Sequence, residues 1–217
     1  ETKNHNYQLV KTIEEHQKLI ELLLVQKEVA FDTETTSLEI DEAELLGISF
    51  CFENNKAFYA TFPYSKDDIE PFISLYKGFF SSSSLKIAHN IKYDQAVLKN
   101  YNLEISGPIY DTMIAHYLID PEQRHNLDSL ANNLLNYSPV KIESLIGKKG
   151  VNQLNMKDVE LTKIKDYGAE DADVTFQLYH ILNKDIKKLN LSKLLNEIEL
   201  PLTSVLLDME NEGINLD

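Results

Sequence analysis

The carboxylates of Asp32 and Glu34 are the first groups in the sequence whose type and spacing could do chemistry. They follow a run of apolar residues at 29–31, which is typical of a short buried strand. Because residues two apart in a strand point to the same face, the two carboxylates project together and Thr33 points away. Two such charges beside core residues are costly unless a cation lies between them, and divalent ions prefer carboxylate oxygens. Taken alone, however, the pair is more typical of an ordinary polar strand end.

A second polar cluster follows the next predicted buried strand of this type, at 85–88. Asp94 lies about one turn into the helix predicted after this strand. The connecting segment and the first helical turn contain His89, Asn90 and Lys92. Functional sites of α/β proteins gather at strand ends, which favours a role for this cluster. An Asp in a first helical turn is also common because it complements the helix dipole, so Asp94 alone decides nothing.

A third motif lies in the long helix predicted at 158–189. Tyr167 and Asp171 are four residues apart and share one helix face, whereas Glu170 and Asp173 turn away from it. The small residues between the tyrosine and the acids leave room for another backbone or a substrate. The alternative is a solvated acidic face with a tyrosine packed at its edge.

Taken together, the three motifs favour a metal site. The carboxylates available to it are Asp32, Glu34, Asp94 and Asp171. Such a set can hold two divalent ions about 3.5–4 Å apart, the arrangement used for in-line phosphoryl displacement. Magnesium is the first expectation because it binds carboxylates together with substrate phosphate oxygens, and manganese or zinc are alternatives.

The three motifs also resemble those of a known family. They are Phe-Asp-Thr-Glu-Thr at 31–35, Asn-x-Lys-Tyr-Asp at 90–94 and Tyr-x-Ala-Glu-Asp-Ala-Asp at 167–173. In order and spacing they resemble the three exonuclease motifs of the DEDDy 3′–5′ exonucleases, and most of all the proofreading domain of bacterial DNA polymerase I. Residues 124–131 and 152–154 resemble connecting segments of that domain, and residues 199–217 resemble the segment that leads into the polymerase domain.

This resemblance implies a ribonuclease-H-like α/β fold with a mixed central sheet flanked by helices and a helix-rich C-terminal half. It implies an exonuclease domain at 1–190 and, at 191–217, a helical segment leading into a polymerase domain that is absent from this chain. The substrate would be a single-stranded or frayed DNA 3′ end, in the bacterial cytoplasm and associated with the nucleoid. We expect a monomer without a membrane span. The chain begins with Glu1 rather than Met, so we expect it to be a piece of a longer protein.

The same resemblance implies roles for the acidic residues. Asp32, Glu34 and Asp171 would hold the first metal, with Asp32 bridging to a second that Asp94 supports. Tyr167, together with Glu34, would orient the attacking water. The expected catalytic residues are therefore Asp32, Glu34, Asp94, Tyr167 and Asp171.

Substrate contacts are also implied by the resemblance. The residues expected to make them are Thr33, Leu38, His89, Asn90, Lys92 and Ile142. Leu38 would wedge against the terminal base, and Asn90 and Lys92 would lie near the strand. Ile142 stands where relatives often place an aromatic residue that stacks on the terminal base, so we expect weaker stacking here. Stacking on an aromatic side chain is worth about 1–3 kcal/mol per base.

The composition limits what the chain can do alone. It has 217 residues, 43% of them hydrophobic, which suits one sizeable core, and a single cysteine that excludes an internal disulfide. A net charge of −14 argues against a nucleic-acid binder that works by itself, so a grip on DNA should come from an attached domain. Two alternatives stay open: a free-standing RNA-processing nuclease like ribonuclease D, and a vestigial, non-enzymatic domain of a polymerase.

Overall fold

The computed structural model describes residues 5–213, apart from the side chains of residues 66 and 67. In this part of the chain, six strands form one sheet in the order β1-β4-β3-β2-β5-β6. The strands are β1 (Asn6–Val10), β2 (Glu28–Thr35), β3 (Leu45–Glu53), β4 (Lys56–Thr61), β5 (Leu85–Ala88) and β6 (Ile109–Asp111). The pairs β2–β3 and β3–β4 are antiparallel and the other pairs are parallel, so the predicted mixed sheet is confirmed.

Helices cover both faces of the sheet. They are α1 (Ile13–Leu24), α2 (Lys66–Ile73), α3 (Lys77–Phe80), α4 (Ile91–Lys99), α5 (Thr112–Ile119), α6 (Leu127–Leu135), α7 (Glu143–Ile146), α8 (Leu161–Lys188), α9 (Ser192–Leu194) and α10 (Leu200–Glu212). Two 3₁₀ turns lie at Ser74–Tyr76 and Met156–Asp158, and a π-helical stretch at Leu195–Glu199 joins α9 to α10. The C-terminal half is helix-rich, as predicted. None of the helices described here is long and apolar enough to cross a membrane.

Local sequence signals place several element ends correctly. Thr12 caps α1: its hydroxyl accepts from the Glu15 amide at 3.3 Å, and the Glu15 carboxylate accepts from the Thr12 amide at 2.9 Å. Asn55 takes the left-handed conformation, with φ of 64°, in the tight turn between β3 and β4. These two features are a capping box and the turn of a β-hairpin.

Neither of two prolines in the helices interrupts its helix. Helix α2 continues through Pro71, and the break comes later, at the 3₁₀ turn Ser74–Tyr76. Pro201 lies in the first turn of α10, where a missing N–H costs little, and the irregular stretch precedes it. The last residues of the sequence motif at 199–217, from 214 onward, lie outside the described residues.

Two cores lie on opposite faces of the sheet, and β2 contributes to both. Phe31 joins the core under α1 and the aromatic helices α2 and α3, whereas Ala30 joins the core against α5, α6 and α8. Because side chains alternate along a strand, Asp32 and Glu34 continue the row of Ala30 and face α8. Thr33 continues the row of Phe31 and faces α4. The strand therefore directs its two acids toward the long helix.

Candidate active site

Three carboxylates meet where β2 faces α8. Ligand oxygens of Asp32, Glu34 and Asp171 all lie within 4.8 Å of one another. Asp32 is half-buried, and Glu34 and Asp171 are buried, so the group opens to solvent at Asp32. The two acids of β2 and the acid of α8 are thus brought together as the motifs predict.

Gly168 allows this approach of α8 to the sheet. A β-carbon at this position would lie 2.7 Å from Ser49 Oγ and 3.0 Å from Glu34 Oε1. Real β-carbons do not come this close to such atoms, so a larger residue would push the helix away from β2 and β3. The space left at Gly168 is thus taken by side chains of β2 and β3, where the sequence predicted another backbone or a substrate.

Asp94 reaches the same region from α4, on the other side of β2. Its Oδ1 accepts hydrogen bonds from the Thr33 amide at 3.0 Å and the Thr33 hydroxyl at 2.6 Å. Asp94 lies outside the group of three, although burial and then the charge of Asp32 raise its pKa. Thr33 is buried, and its hydroxyl holds Asp94. A contact between Thr33 and substrate stays a prediction.

Among the described residues, no lysine, arginine or histidine forms an ion pair with Asp32, Glu34 or Asp171. Burial raises the pKa of Asp32 to about 7. Burial, and after it the charge of Asp32, raises the pKa values of Glu34 and Asp171 well above their usual range. Carboxylates this close together disfavour one another's ionised forms, and they offer only oxygen ligands. Such a group fits hard divalent cations such as Mg²⁺ or Mn²⁺.

Tyr167 lies beside this cluster on α8. Burial, followed by the charges of Asp171 and Glu34, raises the pKa of its hydroxyl far above the ordinary value. The hydroxyl therefore stays protonated across the physiological range and can donate a hydrogen bond. Its ring packs on the small core cluster that contains Tyr59 and Ile164, which limits its movement.

The residues predicted to contact substrate differ in exposure. Leu38 follows β2 and is 84% exposed, and Ile142, just before α7, is 39% exposed. Contacts of these two side chains with a terminal base stay predictions. Lys92 is engaged instead: its ammonium forms an ion pair with Glu210 of α10.

His89 and Asn90 lie between β5 and α4. The Nδ1 atom of His89 is 2.8 Å from the Thr112 hydroxyl, and its Nε2 is enclosed without a hydrogen-bond partner among the described residues. Asn90 takes the left-handed conformation, with φ of 68°, and its side chain makes no capping bond to α4. The Asn90 side chain is therefore not committed to its own helix.

Asp111 supplies the missing cap, and the sequence analysis did not identify it. The carboxylate accepts from the Ile91 amide at 2.8 Å, at the start of α4, and from the Met113 amide at 2.8 Å, at the start of α5. One buried group thus fixes the start of the helix that carries Asp94. An Asp directly after a strand and before a helix is a known capping signal, which predicts the bond to α5 but not the bond to α4.

Glu170 and Asp173 turn away from the cluster, as predicted, but the alternative of a solvated acidic face is wrong. Both are buried. Glu170 accepts from the Val140 amide at 2.7 Å and from the Tyr137 hydroxyl, and so holds the segment that precedes Ile142. Asp173 accepts from the Asn55 amide at 3.0 Å and ties α8 to the β3–β4 turn.

Comparisons with known proteins show the family and the fold of the chain. DNA polymerase I of Borreliella burgdorferi is 37% identical over 220 residues, covering 100% of this chain and 24% of that protein. The chain thus spans about a quarter of the length of the curated relatives it matches. Two solved structures share the fold. The POL domain of Pol1 from M. smegmatis, in complex with DNA primer-template and dNTP, has a TM-score of 0.75 at 17% identity, covering 96% of this chain and 33% of that one. NrnC of Brucella melitensis has a TM-score of 0.73 at 19% identity, covering 99% of this chain and 98% of that one.

The architecture is therefore that of the ribonuclease-H-like exonuclease domains, as the motifs predict. Residues 7–187, most of the chain, match the 3′–5′ exonuclease domain associated with family-A DNA polymerases. The chain belongs to this 3′–5′ exonuclease family.

Proposed function

We propose that this site removes nucleoside monophosphates one at a time from DNA 3′ ends, with two divalent metal ions as cofactors, as the proofreading module of a DNA polymerase I. The observation that carries the proposal is the group formed by Asp32, Glu34 and Asp171, whose ligand oxygens lie within 4.8 Å of one another. Family membership and the DNA polymerase I relatives support it.

The four acids divide between two positions. Asp32, Glu34 and Asp171 would hold one ion, and Asp94, on the other side of β2, would support a second beside Asp32. Such ions activate a water for attack and stabilise the charge on the leaving 3′ oxygen. Mg²⁺ is the expected ion, with Mn²⁺ or Zn²⁺ as alternatives.

The remaining site residues would position the substrate and the water. The Tyr167 hydroxyl, kept protonated, donates a hydrogen bond that orients the attacking water together with Glu34. Leu38 offers an exposed apolar side chain to the terminal base. Lys92 and Asn90 approach the phosphates from α4.

Most of the DNA affinity would come from outside the site. A net charge of −14 makes the chain as a whole repel DNA, so an attached polymerase domain would hold the duplex and pass on a frayed end. We propose residues 1–190 as the exonuclease domain and 191–217 as the segment leading to that polymerase domain. Because the relatives are bacterial DNA polymerase I proteins, we place the protein in the bacterial cytoplasm, at the nucleoid, and as a monomer.

The direct test is to incubate the protein with a 3′-labelled DNA single strand, with and without Mg²⁺. We expect release of mononucleotides only with the metal, and its loss in Asp32→Ala. The control variant is Glu70→Ala, whose carboxylate makes only an exposed ion pair with Lys77 at 3.8 Å, and it should keep full activity. No metal-dependent release at high protein concentration would refute the proposal. Faster release from a matched RNA strand would favour the ribonuclease D-like alternative instead.

A further inference from the structure

Three buried polar atoms beneath the acidic cluster have no hydrogen-bond partner among the described residues. They are Glu34 Oε1, Ser49 Oγ and Tyr59 Oη. Buried polar atoms are nearly always hydrogen-bonded, so three unpartnered atoms in one place need an explanation. The explanation must also say why the three atoms lie close together, since they come from three adjacent strands, β2, β3 and β4.

Sheet register places these side chains on one face. Ser49 pairs with Asp32 on one side and with Tyr59 on the other, and Glu34 pairs with Gly47. Directly paired residues of antiparallel strands project to the same face, with their β-carbons about 4.5–5.5 Å apart. The serine, the tyrosine and the two acids therefore all face α8.

Two glycines bring the three atoms closer than the register alone requires. A β-carbon on Gly47 would lie 2.5 Å from Tyr59 Oη, so the tyrosine hydroxyl occupies the side-chain space directly opposite Glu34. A β-carbon on Gly168 would lie within 3.0 Å of both Ser49 Oγ and Glu34 Oε1. The Ser49 hydroxyl and the enclosed oxygen of Glu34 thus share Gly168 as a neighbour, and the Tyr59 hydroxyl lies against the residue that pairs with Glu34.

The chemistry of the three groups is complementary. A carboxylate oxygen only accepts hydrogen bonds, whereas serine and tyrosine hydroxyls can donate them. Burial, and after it the charge of Glu34, raises the pKa of Tyr59 well above its usual range, so this hydroxyl keeps its proton. Three converging polar atoms are also the number of partners that an internal water typically has.

We propose that Ser49 and Tyr59 are positioning residues whose hydroxyls hold Glu34 Oε1 through one shared internal water. Because this water holds Oε1, the carboxylate of Glu34 keeps the orientation that brings it to Asp32 and Asp171. The inference rests on the proposed function, because the orientation of Glu34 matters to catalysis only if the cluster binds metal. Removing a side chain that hydrogen-bonds to a metal ligand commonly lowers metal affinity or activity about 10–100-fold.

The test uses Ser49→Ala, Tyr59→Phe and the double variant, each of which removes only hydroxyl groups. The matched control is Tyr110→Phe, because Tyr110 Oη is also buried and unpartnered among the described residues but packs against Tyr179 in the core between the sheet and α8. Mn²⁺ affinity is measured by titration calorimetry without DNA, and kcat and KM on a DNA single strand at saturating metal. Thermal unfolding without metal reports on the fold.

We expect each single variant to bind Mn²⁺ about 10–100-fold more weakly and to lose kcat with KM unchanged. The double variant should lose little more than either single variant, because both hydroxyls bind the same water. Tyr110→Phe should bind Mn²⁺ like the wild type. A high-resolution crystal structure of the wild type should show one water within hydrogen-bond distance of all three atoms.

Several results would overturn the inference. Wild-type Mn²⁺ affinity and kcat in both single variants would do so, as would an equal loss of affinity in Tyr110→Phe. A crystal structure without a water between the three atoms would do so independently of any variant. Failure of the proposed function looks different: the wild type itself would then bind no Mn²⁺ and release no nucleotides.

Discussion

Replacing Gly168 by alanine should damage both stability and activity, although alanine is the better helix former. In an open helical position this change gains about 1 kcal/mol. Here the new β-carbon would lie 2.7 Å from Ser49 Oγ, 3.0 Å from Glu34 Oε1 and 3.1 Å from Glu34 Cγ. All three are side-chain atoms of buried residues, so little free space is open to them. Overpacking of this kind costs about 1–3 kcal/mol, so we expect a net loss of about 1 kcal/mol in the free energy of unfolding.

Activity should fall further than stability. The contacts push against Glu34, and a displacement of about 1 Å in a catalytic constellation can cost about 100-fold in rate. Urea denaturation measures the free energy of unfolding, and release of labelled nucleotides with Mg²⁺ measures the rate.

The matched control is Gly78→Ala in α3, where a β-carbon would meet nothing within 4 Å. This variant should gain up to about 1 kcal/mol and keep full activity. The reasoning is refuted if Gly168→Ala proves as stable and as active as Gly78→Ala.

Three further predictions concern charge. Burial raises the pKa of Asp32 from 3.8 to about 7, so the metal-free fold should lose stability as pH rises from about 4 to about 7. Asp32→Asn should therefore raise Tm in EDTA more at pH 8 than at pH 5. Burial lowers the pKa of His16 from 6.5 to about 4, so its contribution to stability should be present above pH 6.5 and disappear as pH falls toward 4. In thermal unfolding, His16→Gln should therefore show a smaller decrease of Tm on acidification. Glu210→Gln removes the ion-pair partner of Lys92 and should lower KM for a DNA single strand at low salt. The expected decrease is about two- to five-fold, the range for an exposed ion pair. The control Asp208→Asn removes the partner of Lys99, farther along α4, and should leave KM unchanged.

Each of these has an opposing result. Equal Tm gains for Asp32→Asn at both pH values would contradict a raised pKa of this carboxylate. An unchanged loss of stability on acidification in His16→Gln would assign that loss to other groups. Equal KM values for Glu210→Gln and the wild type would show that Lys92 does not contact the substrate.

Local patterns were enough to predict the parts of the site that depend on one element. The common face of Asp32 and Glu34 follows from the two-residue period of a strand, and that of Tyr167 and Asp171 from the helical period. The end of β2 was less well predicted: the apolar run indicates a short strand at 29–31, whereas β2 continues to Thr35. The polar stretch that follows Asp32 resembles a loop, but it remains paired with β3 up to Thr35, which pairs with Leu45.

The connections between elements could not be predicted in this way. The bond from Asp111 to the start of α4 depends on the parallel pairing of β5 with β6. The meeting of Ser49, Tyr59 and Glu34 depends on the register of three strands and on which of their faces meets α8. Neither relation leaves a periodic signal in the sequence, because each joins residues that are far apart along the chain.

Helix α8 links the acidic cluster to two other parts of the molecule, and this affects how activity is lost on heating. Asp171 contributes to the acidic cluster, while its neighbours Glu170 and Asp173 bind the amides of Val140 and Asn55 in two other parts of the molecule. The helix therefore cannot turn or slide by one residue without breaking bonds on several sides at once. Loosening this helix on heating would break the cluster and these contacts together, so we expect loss of activity to coincide with melting.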